Sequence, residues 1–342
     1  MQDEIDPFEA RQAVLEPLLA AQQLLGVLEG AEASGIITRL VSGPASTLEL
    51  ADIAGVDVAI VSAVVAALAA SEVVEQRGET GENVALTPPW RALCKPGGFT
   101  PFATLVRGNN VAADHLRSLG AVDYWSMPTD DRIALAAMVS PDPIEGGFVA
   151  IQHQWLEMGH PFAVATSAAE RVLELGCGLA GAALSALQAF PNIRETVGVE
   201  LSDDVAAEAE RRAQVLGLTD RFRVVRCDAG DFHDPEPFDT AFWSQFFFAE
   251  STREAAVATL FDHVRPGGTV GAPCRWFDAA ADDDPTGLPA RAYALFRVRA
   301  QASGVPERSP EQIEAELRAA GFVDTRTLPS GPTQFFVVAT RP

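Results

Sequence analysis

The stretch Glu170-Arg171-Val172-Leu173-Glu174-Leu175-Gly176-Cys177-Gly178-Leu179-Ala180-Gly181 sets one carboxylate, Glu174, just ahead of closely spaced glycines. Glycines let a backbone approach a ligand closely, and the alanine-rich segment from Ala182 to Phe190 predicts a helix whose first N–H groups are free. Gly176, Gly178 and Gly181 fit the G-x-G-x-x-G spacing of dinucleotide turns. Glu174 points elsewhere, because a carboxylate there repels a pyrophosphate and attracts a cationic ligand group. Other side chains able to do chemistry lie outside this turn. His153 and His160 share a segment with Gln152, Trp155 and Glu157; Glu250 follows the aromatic run Phe246-Phe247-Phe248; Arg275, Trp276 and Tyr293 come later. His153, Glu157 and His160 lack the further spacing that would support a metal site, so no metal is expected. His263 is expected on the surface, His233 in a loop, and His115 is uninformative.

Strands and helices must position these groups. From Glu170 onward apolar runs alternate with helical segments. Strands are expected at Val172–Leu175, Thr196–Glu200, Phe222–Cys227, Thr240–Phe246, Thr269–Ala272, Phe322–Leu328 and Phe335–Thr340. Helices are expected near 181–190, 203–216, 251–264, 289–303 and 310–320, the last opened by Ser309-Pro310-Glu311-Gln312 as a capping box and closed by Gly321. This alternation predicts an α/β fold with a Rossmann-like doubly wound sheet, its last two strands forming an antiparallel hairpin at one edge.

The N-terminal part reads differently. Residues 8–40 carry a broad apolar stripe (Val14, Leu15, Leu18, Leu19, Leu24, Leu25, Val27 and Leu28) that needs burial, by a partner subunit or by the rest of the chain. Residues 46–93 read as a mostly α-helical winged-helix domain, its wing turning at Gly78-Glu79-Thr80-Gly81. The would-be recognition helix from Asp57 carries no Arg or Lys, which argues for a structural or dimerising use rather than DNA binding. Expected boundaries are 1–95 for this domain, 96–168 for a helical connector that caps the substrate site, and 169–342 for the ligand-binding domain.

Composition excludes some classes. The 342 residues carry a net charge of −22, so nucleic acid and anionic membrane surfaces are poor partners. The apolar run Val58 to Ala70 is too short to span a bilayer. Four cysteines without a CxxC pair, and an opening Met1-Gln2-Asp3-Glu4 without a basic-plus-apolar leader, lead to the expectation of a reducing cytoplasm.

With Glu174-Leu175-Gly176-Cys177-Gly178-Leu179-Ala180 the chain resembles class I S-adenosylmethionine-dependent methyltransferases, whose first motif is E/D-x-G-x-G-x-G. Ala180 replaces the third glycine, which neighbouring Gly181 is expected to offset. Glu200 stands where that family binds the ribose hydroxyls, and Cys227-Asp228-Ala229-Gly230-Asp231-Phe232 resembles its adenine-binding segment. Phe238-Asp239-Thr240-Ala241-Phe242-Trp243 and Val264-Arg265-Pro266-Gly267-Gly268-Thr269 resemble its fourth strand and the loop before its fifth. The resemblance is strong over 165–342 and, with the winged N-terminal half, extends to small-molecule O-methyltransferases that dimerise through that half. It implies S-adenosylmethionine as cofactor (S-adenosylhomocysteine as product), held by Glu174, Gly176, Cys177, Gly178, Glu200, Leu201, Asp228, Ala229 and Ser244. It implies methyl transfer to a small, fairly apolar acceptor touched by Trp155, Gln245, Phe247, Phe248, Arg275, Trp276 and Tyr293, first choice O-methylation in secondary metabolism. C- or N-methylation, or cofactor binding with another reaction, are the alternatives. The histidine that many relatives place after the fourth strand is missing from Ser244-Gln245-Phe246-Phe247-Phe248-Ala249-Glu250. His153, His160 and Glu250 are the candidates for a base.

Overall fold

In the computed structural model the chain divides into two compact units, Met1–Arg107 and Gly108–Pro342. The structure describes residues 6–78, 83–98, 100–117, 124–277, 284–305, 307–331 and 333–342.

In the first unit the helices Glu16–Ala33, Ile36–Val41, Thr47–Ala54 and Val58–Ala70 share one apolar core that includes Leu28, Ile37, Leu40, Leu50, Val65 and Leu68. Local chemistry sets their ends. Ser46 Oγ accepts the Glu49 N–H at 3.1 Å to open Thr47–Ala54, and Asp57 accepts the Ala59 N–H at 2.7 Å to open Val58–Ala70. Strands β1 (Ala45–Ser46), β2 (Val74–Arg77) and β3 (Asn83–Leu86) form an antiparallel sheet in the order β1-β3-β2. Helices and hairpin together are those of the expected winged helix; residues 79–81 of its expected turn lie outside the described residues. The unit runs past residue 95 because Phe102 and Val106 are buried in its core.

The second unit is built on a seven-stranded sheet of β4 (Arg171–Leu175), β5 (Glu195–Glu200), β6 (Phe222–Arg226), β7 (Phe238–Trp243), β8 (Val264–Arg275), β9 (Val323–Gly331) and β10 (Gln334–Thr340). The order is β6-β5-β4-β7-β8-β10-β9; the first five are parallel, and β10 runs antiparallel to both neighbours. Both faces are covered. Leu260, Ile313 and Leu317 join one core against the sheet, while Ala183, Leu184 and Leu187 join another. That two-sided burial is why these strands are continuous apolar runs. Ser309 and Gln312 form the capping box, with bonds of 2.8 and 3.3 Å. β8 begins earlier than expected, because the Arg265–Gly268 turn is drawn into the sheet as a bulge between the pairs Phe238↔Val264 and Thr240↔Thr269.

The expected connector is not a separate body. Ala137 of the helix Thr129–Val139 packs on Leu179 and Val205, and Val149 and Leu156 of the helix Gly147–Glu157 pack on the core around Leu184. Strand order reverses at β4, which has β5 on one side and β7 on the other. A ligand crevice is therefore expected beyond the carboxyl ends of these strands.

Candidate active site

β4 is buried along its whole length and leads into the glycine turn. Gly176 has φ 74°, and a Cβ there would lie 2.8 Å from the Phe248 ring. Gly181 is needed for space alone: its Cβ would sit 2.2 Å from the Pro141 carbonyl oxygen. Ala180 itself takes the left-handed conformation, at φ 55°, so Gly181 does not stand in for the missing third glycine. The Gly176 and Cys177 N–H groups both donate to the Val199 carbonyl, at 3.0 and 2.9 Å, tying the turn to β5.

Glu200 closes β5 and faces this turn. Its Oε2 accepts the Gly178 N–H at 2.9 Å and its Oε1 the Ser202 N–H at 2.8 Å. Burial raises its pKa above the usual carboxylate value. Each oxygen keeps a further lone pair, so two acceptors stand side by side at the crevice. Beyond β6, Asp228 Oδ1 accepts the Gly230 N–H at 2.8 Å and opens a short turn containing Ala229; both residues are half-buried.

Glu174 is only 3% exposed, and its Oε2 accepts the Ala183 N–H at 2.8 Å, inside the first turn of the helix Gly181–Ala189. Burial pushes its carboxyl up to about 8. With Phe148, Gln152, Trp155, Phe162 and Thr166 it lines a cavity of about 20 Å³, room for about one water. Its carboxyl thus satisfies an N–H at a helix start through one oxygen.

Residues 172–268 match the family model of the methyltransferase domain. The chain carries a methyltransferase domain. No curated protein matches the chain in sequence. In fold it is similar to the mitomycin 7-O-methyltransferase MmcR, at 17% identity over 97% of this chain and 98% of that one, with a TM-score of 0.68. Human N-acetylserotonin methyltransferase, solved in complex with SAM, is 17% identical over 100% of this chain and 99% of that one, with a TM-score of 0.66. PigF, solved with SAH, is 18% identical over 96% and 99%, with a TM-score of 0.64. At these identities the likeness is one of fold.

Within the second unit the remaining candidates separate. Leu201 is half exposed beside Glu200, and Ser244, buried at the end of β7, donates its N–H to the Leu175 carbonyl at 3.1 Å. Gln245 is buried and fully engaged: its Nε2 donates to the Pro273 carbonyl at 3.1 Å, and its Oε1 accepts from Arg253 at 3.2 Å. Phe248 packs under Gly176 against Trp243, whereas Phe247 is exposed. Arg275, Trp276 and Tyr293 do gather, at the end of β8 and on the helix Leu288–Ala302.

The candidate bases lie in three different surroundings. His153 is exposed, its ring 5.9 Å from that of Phe190, past the last residue of the helix Gly181–Ala189. Nine helical residues span about 13 Å, so His153 lies at the wrong end of that helix. His160 stacks on Trp155 at 4.6 Å and meets Phe336 at 5.4 Å; burial, then the charge of Arg326, lower its pKa. Trp155 shares that aromatic packing, and the cavity it lines is too small for an acceptor. Glu250 is exposed and pairs with Arg308. His263, expected on the surface, is 8% exposed with Nδ1 2.9 Å from the Thr259 carbonyl oxygen.

The structure adds a group that the sequence reading missed. Arg132 bonds Asp204 through Nε at 3.0 Å and the Met127 carbonyl through Nη1 at 2.7 Å, pinning residues 124–132 beside Glu200. Partial burial alone would raise Asp204, yet the bonds from Arg132 and Ser202 hold it well below the usual carboxylate range. Burial pushes the Tyr124 phenol up, and the charges of Glu200 and Asp204 push it further. No spacing marks these residues in advance, because the pairing joins positions 72 apart.

Proposed function

We propose that the second unit binds S-adenosylmethionine at the glycine turn and transfers its methyl group to a small, fairly apolar acceptor. The observation that carries this reading is Glu200, with two oxygens fixed by the Gly178 and Ser202 N–H groups and two lone pairs left for a vicinal diol. Asp228 and the Ala229 N–H would hold the adenine, and the turn from Gly176 to Gly178 would lie along the amino-acid portion. When bound, the sulfonium supplies both the methyl group and its own leaving group. The protein's task is then alignment of the acceptor and exclusion of water.

Glu250 is in an ion pair, His153 faces the far end of the helix Gly181–Ala189 and His160 is packed among aromatic rings, which supports a reading without a base from these three residues. O-methylation of an acceptor that reaches the site already ionised is the reading we favour; a nitrogen or carbon nucleophile with an available electron pair, which also needs no base, is the alternative. We further propose a cytoplasmic homodimer formed by the first unit. Leu18, Leu25 and Ile60 are exposed there, and Val27, Ala59, Ile60, Ala63, Val64 and Ala67 line an open apolar groove. No single helix among the described residues is long and apolar enough to cross a membrane.

Calorimetric titration with S-adenosylmethionine and S-adenosylhomocysteine tests the first reading, and failure of both to bind removes it. Light scattering of Ile60→Glu tests the second: the wild type is expected at twice the chain mass and the variant at the chain mass, and a monomeric wild type ends that proposal.

A further inference from the structure

Two cations near the end of β8, Arg275 and Arg299, have no counter-ion among the described residues. The guanidinium carbon of Arg275 lies 5.2 Å from the Phe296 ring centroid and that of Arg299 5.9 Å from the same ring. Phe246 and Tyr293 each sit 6.1 Å from Phe296. Among the described residues neither arginine makes an ion pair, and the buried Arg275 Nε has no hydrogen-bond partner. Among the described residues the Arg299 guanidinium reaches the Met138 sulfur alone, at 4.0 Å. The neighbouring carboxylate, Glu307, is already taken, by Arg297 at 2.6 Å and by the Tyr293 hydroxyl. Burial lowers the pKa of both arginines, and the charge of Arg275 lowers Arg299 further. Two desolvated cations around one ring, in a chain of net charge −22, are costly unless an anion completes them.

We propose that Arg275 and Arg299 form an anion site for a carboxylate on the acceptor, whose flat apolar body lies against Phe296, Phe246 and Tyr293. This rests on the methyltransferase reading above. A planar guanidinium fork matches a carboxylate, and the acidic surface disfavours more highly charged anions. Position separates this site from the diol site. Glu200 ends β5, on one side of the turn-bearing β4; Arg275 ends β8, two strands to the other side of β4 and three from β5, about 14 Å from β5 across the sheet. The anion therefore belongs to a second ligand, lying beyond the one at the glycine turn.

The test is calorimetric titration of the full chain, saturated with S-adenosylhomocysteine, with naphthoate, hydroxynaphthoate and the uncharged naphthamide. The acids are expected to bind at least about tenfold more tightly than the amide. Arg275→Gln and Arg299→Gln should each remove about that factor for the acids alone, and added salt should weaken the acids alone. Equal binding of acid and amide, no binding of either acid, or acid affinity unchanged in both variants would overturn the proposal. So would a large drop in melting temperature for Arg275→Gln with acid affinity intact, because the guanidinium would then be paired inside the chain, Asp278, Asp282 and Asp283 being its sequence neighbours. Titration of S-adenosylhomocysteine itself keeps the two readings apart. Its failure to bind removes the methyltransferase reading, while preference for acid over amide in the nucleoside-free protein still tests the arginines.

Discussion

The two flanks of the glycine turn handle charge in opposite ways. On the β5 side the charges are carboxylates, held by the protein's own groups: Asp204 is paired with Arg132, and Glu200 is fixed by the Gly178 and Ser202 N–H groups with a lone pair left on each oxygen. On the β8 side the charges are guanidiniums, and they divide. Arg253 is fully engaged, with Nε and Nη2 on Glu316 at 2.9 and 2.6 Å and Nη1 on the Gln245 carbonyl at 3.0 Å. Arg275 and Arg299 have aromatic faces and no carboxylate among the described residues. A charge that the fold has paired with an opposite charge serves the fold, and one without a counter-ion, Glu200 as much as Arg275, is available to a ligand.

The largest effect should come from the paired cation. Arg253→Met strips the buried fork from Glu316, which keeps only Arg308 at 2.8 Å, and frees the Gln245 oxygens. We expect a loss of roughly 3 kcal/mol in urea unfolding. A loss below about 1 kcal/mol would show that this pair is not holding the segment after β7.

On the opposite flank, Glu200→Ala removes both charged acceptors at the crevice. Affinity for S-adenosylhomocysteine should fall about a hundredfold, as expected for two charge-assisted hydrogen bonds. Wild-type affinity in the calorimeter would move the diol site off β5.

Glu174 sharpens the contrast through pH. Its folded pKa, about 8, lies above the unfolded value of about 4.3, so the folded state binds the extra proton between those limits. Stability from this group is complete below about pH 4 and is lost as pH rises through 8, with a slope of up to about 1.4 kcal/mol per pH unit. Glu174→Gln should abolish that slope between pH 5 and 8 in urea unfolding while its amide oxygen still accepts from Ala183. A parallel pH dependence in the two proteins would show that Glu174 is ionised in its enclosure.

Much of this architecture was legible from local patterns. The strand–turn–helix at Glu174, the Ser309 capping box and the closing antiparallel hairpin each follow from contiguous residue types. What was not legible depends on direction or distance. His153 and Gln152 are neighbours on one helix, yet one is exposed beside Phe190 and the other lines the Glu174 cavity. An acidic residue before a glycine turn reads as a ligand contact, and its second role, accepting an N–H at the start of the next helix, shows only in the fold. Gln245 reads as an acceptor contact until Arg253 and Pro273 occupy its amide. The Arg132–Asp204 pair and the arginines around Phe296 are made only when the fold brings distant segments together.

The smallest effect separates the two kinds of guanidinium. Arg275→Met removes a charge that has lost water without gaining a carboxylate, and Met can keep the contact with the Phe296 face. The stacking lost is about 1 kcal/mol, and relief of the burden on Arg299 offsets it. Stability in urea should therefore change by less than about 1 kcal/mol in either direction. Arg253→Met, the same substitution on a neighbouring segment, should cost several times more. If the two variants lost equal stability, Arg275 would be a structural cation like Arg253, and the difference between the flanks would reduce to the sign of charge alone.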